Sequence, residues 1–276
     1  MMSNIIKPLN ILIIYCLIIL LGTKPINAQE VEDERAFDYE AKSEKGPTKW
    51  GEINKGWAAC NNGTMQSPID LAHERVRVIS RPDNRSYKAS NATLTNRGHD
   101  IQIKWHGDAG SISVNGINYP LLSAHWHSPS EHTLRGRRYE MELHLVHLSN
   151  DQNVKNKIAV VGVFYKIGKP DKFLSKLMTN ISSIMDHNHT EKTMGVIDPN
   201  HIKIRGKKYY RYMGSLTVPP CTEGVIWTIN RKVRTVSRDQ VKLLREAVHD
   251  YAEENARPLQ ANHQRDVYLY GPGSTN

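Results

Sequence analysis

Cysteine is scarce in this chain, with three among 276 residues, which excludes a small disulfide-framed scaffold. Long apolar runs are nearly missing as well. The one such run, "LNILIIYCLIILL" from Leu9 to Leu21, is preceded by Lys7 and followed by Gly22, Pro25 and the small residue Ala28. It falls short of the ~20 residues a bilayer span needs, so residues 1–28 read as a secretory signal peptide rather than an anchor. No second run follows, and no membrane span is expected in the remainder. Internal repeats and low-complexity stretches are absent, which excludes a solenoid or a fibrous array. Clustered positive charge is lacking too. Removing residues 1–28 takes away Lys7 and Lys24 and leaves 35 basic against 28 acidic side chains, so the charge falls from +9 to +7. The basic stretches "RGRR" (135–138) and "KIRGKKYYR" (203–211) sit beside turn-forming glycines and read as solvated loop charge, so no nucleic-acid partner is expected.

Cys16 belongs to the signal segment, so Cys60 and Cys221 remain as natural partners for one long-range disulfide in the oxidising secretory route. Five Asn-x-Ser/Thr sequons, at Asn62, Asn84, Asn91, Asn180 and Asn188, are candidate glycosylation sites that fit the same compartment.

What the chain does contain is strand. Residues 29–45, "QEVEDERAFDYEAKSEK", are charged and weakly apolar and read as a flexible leader. The folded domain is expected over residues 46–271, with a short flexible tail at 272–276. "DIQIKW" alternates Ile101, Ile103 and Trp105 against polar neighbours, and "SISVNGINYPL" reads as a hairpin turning at Asn115 and Gly116. "IAVVGVFYKIG" from Ile158 is apolar on both faces, as a central strand requires, and "GVIWTIN" from Gly224 is similar. Two helices stand out. "PDKFLSKLMTNISSIMDH" carries Phe173, Leu177, Ile181 and Ile184 on one face, and "SRDQVKLLREAVHDYAEEN" has Ser237 and Gln240 in capping-box positions with Val241, Leu244, Val248 and Tyr251 in a stripe. The predicted fold is α+β and mostly β: a single domain built on a large central, mainly antiparallel twisted sheet with a few peripheral helices.

Between Ser123 and Ser149, "SAHWHSPSEHTLRGRRYEMELHLVHLS" places five histidines and three glutamates on otherwise strand-like sequence. Residues two apart on a strand point the same way, so His125 and His127 share a face, and Glu142, His144 and Val146 share another. Were the two strands neighbours, His144 would be a third ligand beside the first two. Three protein ligands leave one position of a tetrahedral ion open, which is how catalytic rather than structural zinc is held. The "HNH" at 187–189 has the same spacing but surrounds a sequon in a polar stretch, and reads as loop.

The motifs "QSPID", "NRGHD", "HWHSPSEHT", "ELHLVH", "GSLTVPP" and "NARPLQ" together resemble the alpha-type carbonic anhydrases, most nearly the secreted plant members, from about Trp50 to about Val267. The resemblance implies one zinc ion per chain on His125, His127 and His144, and reversible hydration of carbon dioxide to bicarbonate and a proton by a zinc-held hydroxide. It implies Thr217 as the group that orients this hydroxide, with Glu131 accepting the threonine's own proton, and His99 as the proton shuttle, with Asn96 and Gln102 ordering water beside it. Glu142 is implied to orient one ligand histidine. A hydrophobic substrate pocket is implied at Val146, Val160, Leu216, Thr217, Val218, Val225 and Trp227, and Cys60 and Cys221 fall where secreted members form their disulfide. Three departures stand out. Ser123 replaces the family's usual glutamine two residues before the first ligand, Val218 stands where some relatives carry threonine, and the tyrosine usual near Trp50 is missing. The implied partners are carbon dioxide and bicarbonate, with the protein a monomer or homodimer, outside the cell or in the plastid (chloroplast stroma) by way of the secretory route. The competing reading is a carbonic-anhydrase-like binding or storage protein without catalysis, for which Ser123 is the supporting feature.

Overall fold

The computed structural model describes residues 36–72, 74–79, 84–185, 190–249 and 252–272. The expected signal peptide, the sequon at Asn188 and the tail from 273 lie outside the described residues. Twelve strands form one mixed sheet: β1 (Glu74–Ile79), β2 (Arg85–Tyr87), β3 (Ser90–Asn96), β4 (Ile101–Trp105), β5 (Gly110–Val114), β6 (Ile117–His127), β7 (Met141–Leu148), β8 (Ile158–Ile167), β9 (Glu191–Ile197), β10 (Tyr209–Ser215), β11 (Glu223–Val236) and β12 (Val267–Pro272). The spatial order is β1-β12-β10-β11-β8-β7-β6-β4-β3-β9, with β5 joining β6 to β2. Pairing is antiparallel except for β1 with β12 and β11 with β8, so the expected fold class holds.

The apolar pattern decides where each strand sits. Along β8, Ile158 to Tyr165 are buried without a break, and the strand lies near the middle of the sheet, covered on both faces. Asn115 and Gly116 adopt φ of 52° and 82° between β5 and β6, the positive values that a two-residue hairpin turn matching strand twist demands. On β7, Met141, Leu143 and Leu145 point to one face, where the main core gathers Ala124, Trp126, Val161 and Val163. There α3 (Lys172–Ser182) lays down Phe173, Leu177 and Ile181, each at most 2% exposed. Truncating a core leucine such as Leu143 to alanine costs about 2–5 kcal/mol. Helices cover that face, which leaves the other to the polar residues of β7.

Helix starts follow from local chemistry. Asp171 accepts from the amides of Phe173 and Leu174 at 2.9 and 3.0 Å at the head of α3, and Ser237 with Gln240 forms the expected capping box of α4 (Arg238–Glu246). The second helix is shorter than its apolar stripe suggests. Beyond Ala247 the chain turns so that the His249 amide reaches Gly98 O at 3.0 Å.

The supposed flexible leader is ordered from residue 36 on. Phe37 is 1% exposed and packs with Trp50, Trp57, Val218 and the Cys60–Cys221 disulfide in a separate cluster. Two short helices, α1 (Trp50–Ile53) and α2 (Ala59–Asn62), carry Trp50 and Cys60 into it. Tyr39 packs edge-on to Trp50 with ring centroids 5.6 Å apart, so the aromatic neighbour thought missing is supplied by the leader. The composition misled because two aromatic side chains bury enough area to order a short, otherwise charged segment.

Candidate metal centre

In the β6–β7 ladder His125 lies directly across from His144, and His127 directly across from Glu142. The strand alternation therefore brings three imidazoles to one point: ring centroids are 5.0 Å apart for His125 and His127, 5.2 Å for His125 and His144, and 4.6 Å for His127 and His144. One ring nitrogen of each lies within 4.8 Å of the others, and all three residues are at most 2% exposed.

Neighbouring acceptors decide which nitrogen each ring offers. His127 Nδ1 donates to Asn255 O at 2.7 Å and His144 Nε2 donates to Glu142 Oε1 at 3.0 Å, which leaves His127 Nε2 and His144 Nδ1 as lone pairs. His127 Nε2 is buried with no hydrogen-bond partner among the described residues, an unfavourable state for a polar atom unless it binds something. Burial pushes the His125 and His144 rings toward the neutral form, well below the usual value for His125. Burial also pushes His127 down, but Glu131 and the Asn255 carbonyl outweigh it and the net shift is upward. Neutral imidazole is the ligating form, so a donor set of three converging nitrogens fits a zinc ion.

Behind the rings stands a carboxylate network that sequence reading captured only in part. Burial opposes ionisation of Glu142, yet contacts with His132 and His144 outweigh it and hold the carboxyl well below its ordinary range. His132 donates its amide to Glu142 Oε2 at 2.9 Å and pairs Nδ1 with Oε1 at 2.8 Å. Its Nε2 lies 2.6 Å from the Tyr212 hydroxyl, which lies 2.7 Å from Ser67 Oγ. His132 and Asn255 thus belong to the site although neither had a role in the sequence reading; both lie inside the quoted motifs "HWHSPSEHT" and "NARPLQ", the only signal of them. The carboxylate of Glu142 needs room that Gly162 provides: a Cβ there would come within 3.0 Å of Glu142 Oε1 and 2.5 Å of Ile229 Cδ1.

The remaining implied residues divide. Val146, Val160, Leu216, Val225 and Trp227 fall in one cluster on the histidine face, with Val146 opposite Val160 and Val160 opposite Trp227 in register. The Trp227 ring lies 4.8 Å from His144. Val218 departs from this group and packs with Phe37 and the disulfide. Thr217 is buried at 2% exposure on the loop after β10, but it does not hydrogen-bond Glu131 Oε2, which carries no hydrogen bond among the described residues. Glu131 Oε1 accepts instead from the Arg257 amide at 3.0 Å, while Oε2 faces His127 Nε2 at 3.6 Å.

Gln102 lies across from His125 on β4. Asn96 donates its amide to Ile184 O and Ala247 O and so ties β3 to the segments that follow the two helices. His99 is fully buried, its ring 5.1 Å from Phe37 and its Nε2 3.8 Å from Asp100 Oδ2. Ser123 shares the His125 face of β6, yet His125 Nδ1 has no hydrogen-bond partner among the described residues.

Comparison with known proteins agrees with this geometry. The family model for eukaryotic-type carbonic anhydrase matches residues 45–271. The chain is 53% identical over 255 residues to "Carbonic anhydrase Nec1" of Nesocodon mauritianus, covering 92% of each chain, and 54% identical over 245 residues to "Alpha carbonic anhydrase 7" of Arabidopsis thaliana, covering 88% of each. Among solved structures, dioscorin in complex with ascorbate superposes with a TM-score of 0.81 at 43% identity, over 87% of this chain and 99% of that one. Three converging imidazoles on adjacent strands, a match across nearly the whole folded domain and relatives at half identity place the chain in the alpha-type carbonic anhydrase family of zinc enzymes.

Proposed function

We propose that this chain catalyses the reversible hydration of carbon dioxide to bicarbonate and a proton, with His125, His127 and His144 as its zinc ligands. The observation that carries the reading is the convergence of three buried imidazoles whose outer nitrogens are engaged on two rings by Asn255 and Glu142. When bound there, zinc supplies a Lewis acid that brings the pKa of a water near ~7, a magnitude established on carbonic anhydrase itself rather than obtained from this structure.

The protein's own groups do the rest. Asn255 and Glu142 hold His127 and His144 in the tautomers that present a lone pair inward. Bound as neutral imidazoles, the ligating form, the rings would leave a cation its full charge. Thr217 is assigned to orient the reacting hydroxyl, with Glu131 Oε2 as the acceptor it would turn to, a buried oxygen with no hydrogen bond among the described residues. Carbon dioxide is apolar, and Val146, Val160, Leu216, Val225 and Trp227 offer it a wall beside the histidines. His99 is assigned to proton export, since an imidazole pKa near ~6.5 allows both uptake and release at neutral pH. Residues 1–28 support passage through the secretory route, ending outside the cell or in the plastid, and the partners are carbon dioxide and bicarbonate.

A second reading, a binding protein without catalysis, has an observation of its own: dioscorin, solved in complex with ascorbate, shares this fold at a TM-score of 0.81. Stopped-flow hydration of carbon dioxide by the mature, deglycosylated chain separates the two. The catalytic reading expects activity that disappears on chelation and returns with zinc. A rate equal to buffer at full zinc occupancy would establish the non-catalytic one.

A further inference from the structure

Val196 is 66% exposed on β9, the last strand at one end of the sheet. An edge strand presents unpaired backbone groups to other chains, and proteins blunt such edges with charge, bulges or cover. The first half of β9 has charge in Glu191 and Lys192, and the ladder is broken by a bulge near Gly195, whose φ is +65°. The last stretch, Gly195-Val196-Ile197, has no charge within it.

Directly across from Val196 in register is Asn91 on β3. Ala92 and Leu94 on that strand face the core, so Asn91 stands on the outward face with Val196, and it is exposed. Side chains directly opposite in an antiparallel pair have Cβ atoms about 5 Å apart. Asn91-Ala92-Thr93 is also one of the chain's sequons. The other sequons are placed differently: Asn180 is half-buried on α3, Asn62 closes α2, and Asn84 precedes β2.

We infer that Asn91 carries an N-linked glycan whose first sugars lie over Val196 and close the β9 edge against pairing with another chain. The transfer takes a lipid-linked oligosaccharide diphosphate as donor. Asn91 Nδ2 forms the bond to the anomeric carbon, the bond from that carbon to the diphosphate oxygen breaks, the lipid diphosphate leaves, and the amide gives up one proton. Thr93 Oγ1, which the transfer must recognise, lies 3.1 Å from His106 Nε2 in the folded protein, so the modification precedes the closing of β3 onto β4. A bulky, hydrated group then covers the one exposed valine of this edge. The inference rests on residues 1–28 delivering the chain to the secretory route.

The test uses the full chain expressed in a secretory host. Peptide mapping after enzymatic amide cleavage of the glycans is expected to find aspartate at position 91. Asn91→Gln should lose one glycan and show at least a several-fold rise in self-association by sedimentation at matched concentration, and adding Val196→Ser should return it to the wild-type level. Enzymatic removal of sugars from the folded wild type should reproduce the association, and the same treatment of Val196→Ser should not, which covers the case in which Asn91→Gln fails to fold. Sugar at other sequons with none at Asn91 overturns the inference alone, and so does an occupied Asn91 whose removal leaves association unchanged. Sugar at no sequon overturns the secretory reading with it.

Discussion

Phe37 sets its ring 5.1 Å from the imidazole of His99 and leaves that histidine with no exposed surface. A proton carrier must exchange with solvent, so the aromatic segment stands between the assigned shuttle and bulk water. Turnover of the intact chain is expected to depend steeply on the concentration of small imidazole buffers, which can accept protons in place of His99. In Phe37→Ala that dependence should flatten, while folding loses about 3–5 kcal/mol from the emptied aromatic core. Stopped-flow rates across a buffer series, with a urea titration beside them, measure both.

Ser123 leaves His125 Nδ1 without the acceptor that His127 and His144 each possess. Groups that orient metal histidines are worth about 10–100-fold in metal affinity or activity. Ser123→Gln extends a side-chain carbonyl toward that nitrogen and should slow zinc loss to a competing chelator by about tenfold. An unchanged half-time would show that the strand alone orients the ring well enough.

The Cys60–Cys221 disulfide spans 161 residues and ties α2 to the loop that bears Thr217. Chain entropy alone assigns about 5 kcal/mol to closing a loop of that length. The double Cys60→Ser, Cys221→Ser protein should unfold at markedly lower urea and turn over more slowly once the Thr217 loop is released. Equal urea midpoints would mean that native strain cancels the entropic gain.

His147 faces away from the metal site, donating Nδ1–H to Ala159 O at 3.2 Å and accepting the Tyr87 hydroxyl at Nε2, 2.8 Å away. Burial holds its pKa down at about 4. The folded pKa lies below the unfolded one, so the unfolded chain takes up the proton first as pH falls from about 6.5 toward 4. Stability from this residue is whole above about pH 6.5 and is lost through that window at about 1.4 kcal/mol per pH unit. His147→Gln should be less stable at pH 7 yet show a flatter loss between pH 6.5 and 4.5, read from urea unfolding at several pH values.

Strand alternation made much of the site legible in advance. The pairing of His125 with His127 and of Glu142 with His144 on single faces needs only the two-residue repeat of a strand, and the structure keeps both. The hairpin at Asn115 and the cap at Ser237 were legible for the same reason, each being decided by neighbours in the chain. What the polarity of an amide leaves open is its direction: Asn96 gives Nδ2 to two carbonyls beyond the helices, Ile184 O and Ala247 O. Likewise the packing of Val218 with Phe37 joins residues far apart in the chain, which no local pattern announces.

By itself, then, the sequence determined what short-range periodicity and residue chemistry can determine: a sheet-rich domain, a core strand at β8, and imidazoles grouped two by two. Only the tertiary structure decided that β6 and β7 are neighbours, that His132 and Asn255 stand behind the ligands, and that a charged leader is pinned by Phe37 over His99. Those facts join residues far apart along the chain, and such contacts depend on the summed burial of surfaces that no local window contains.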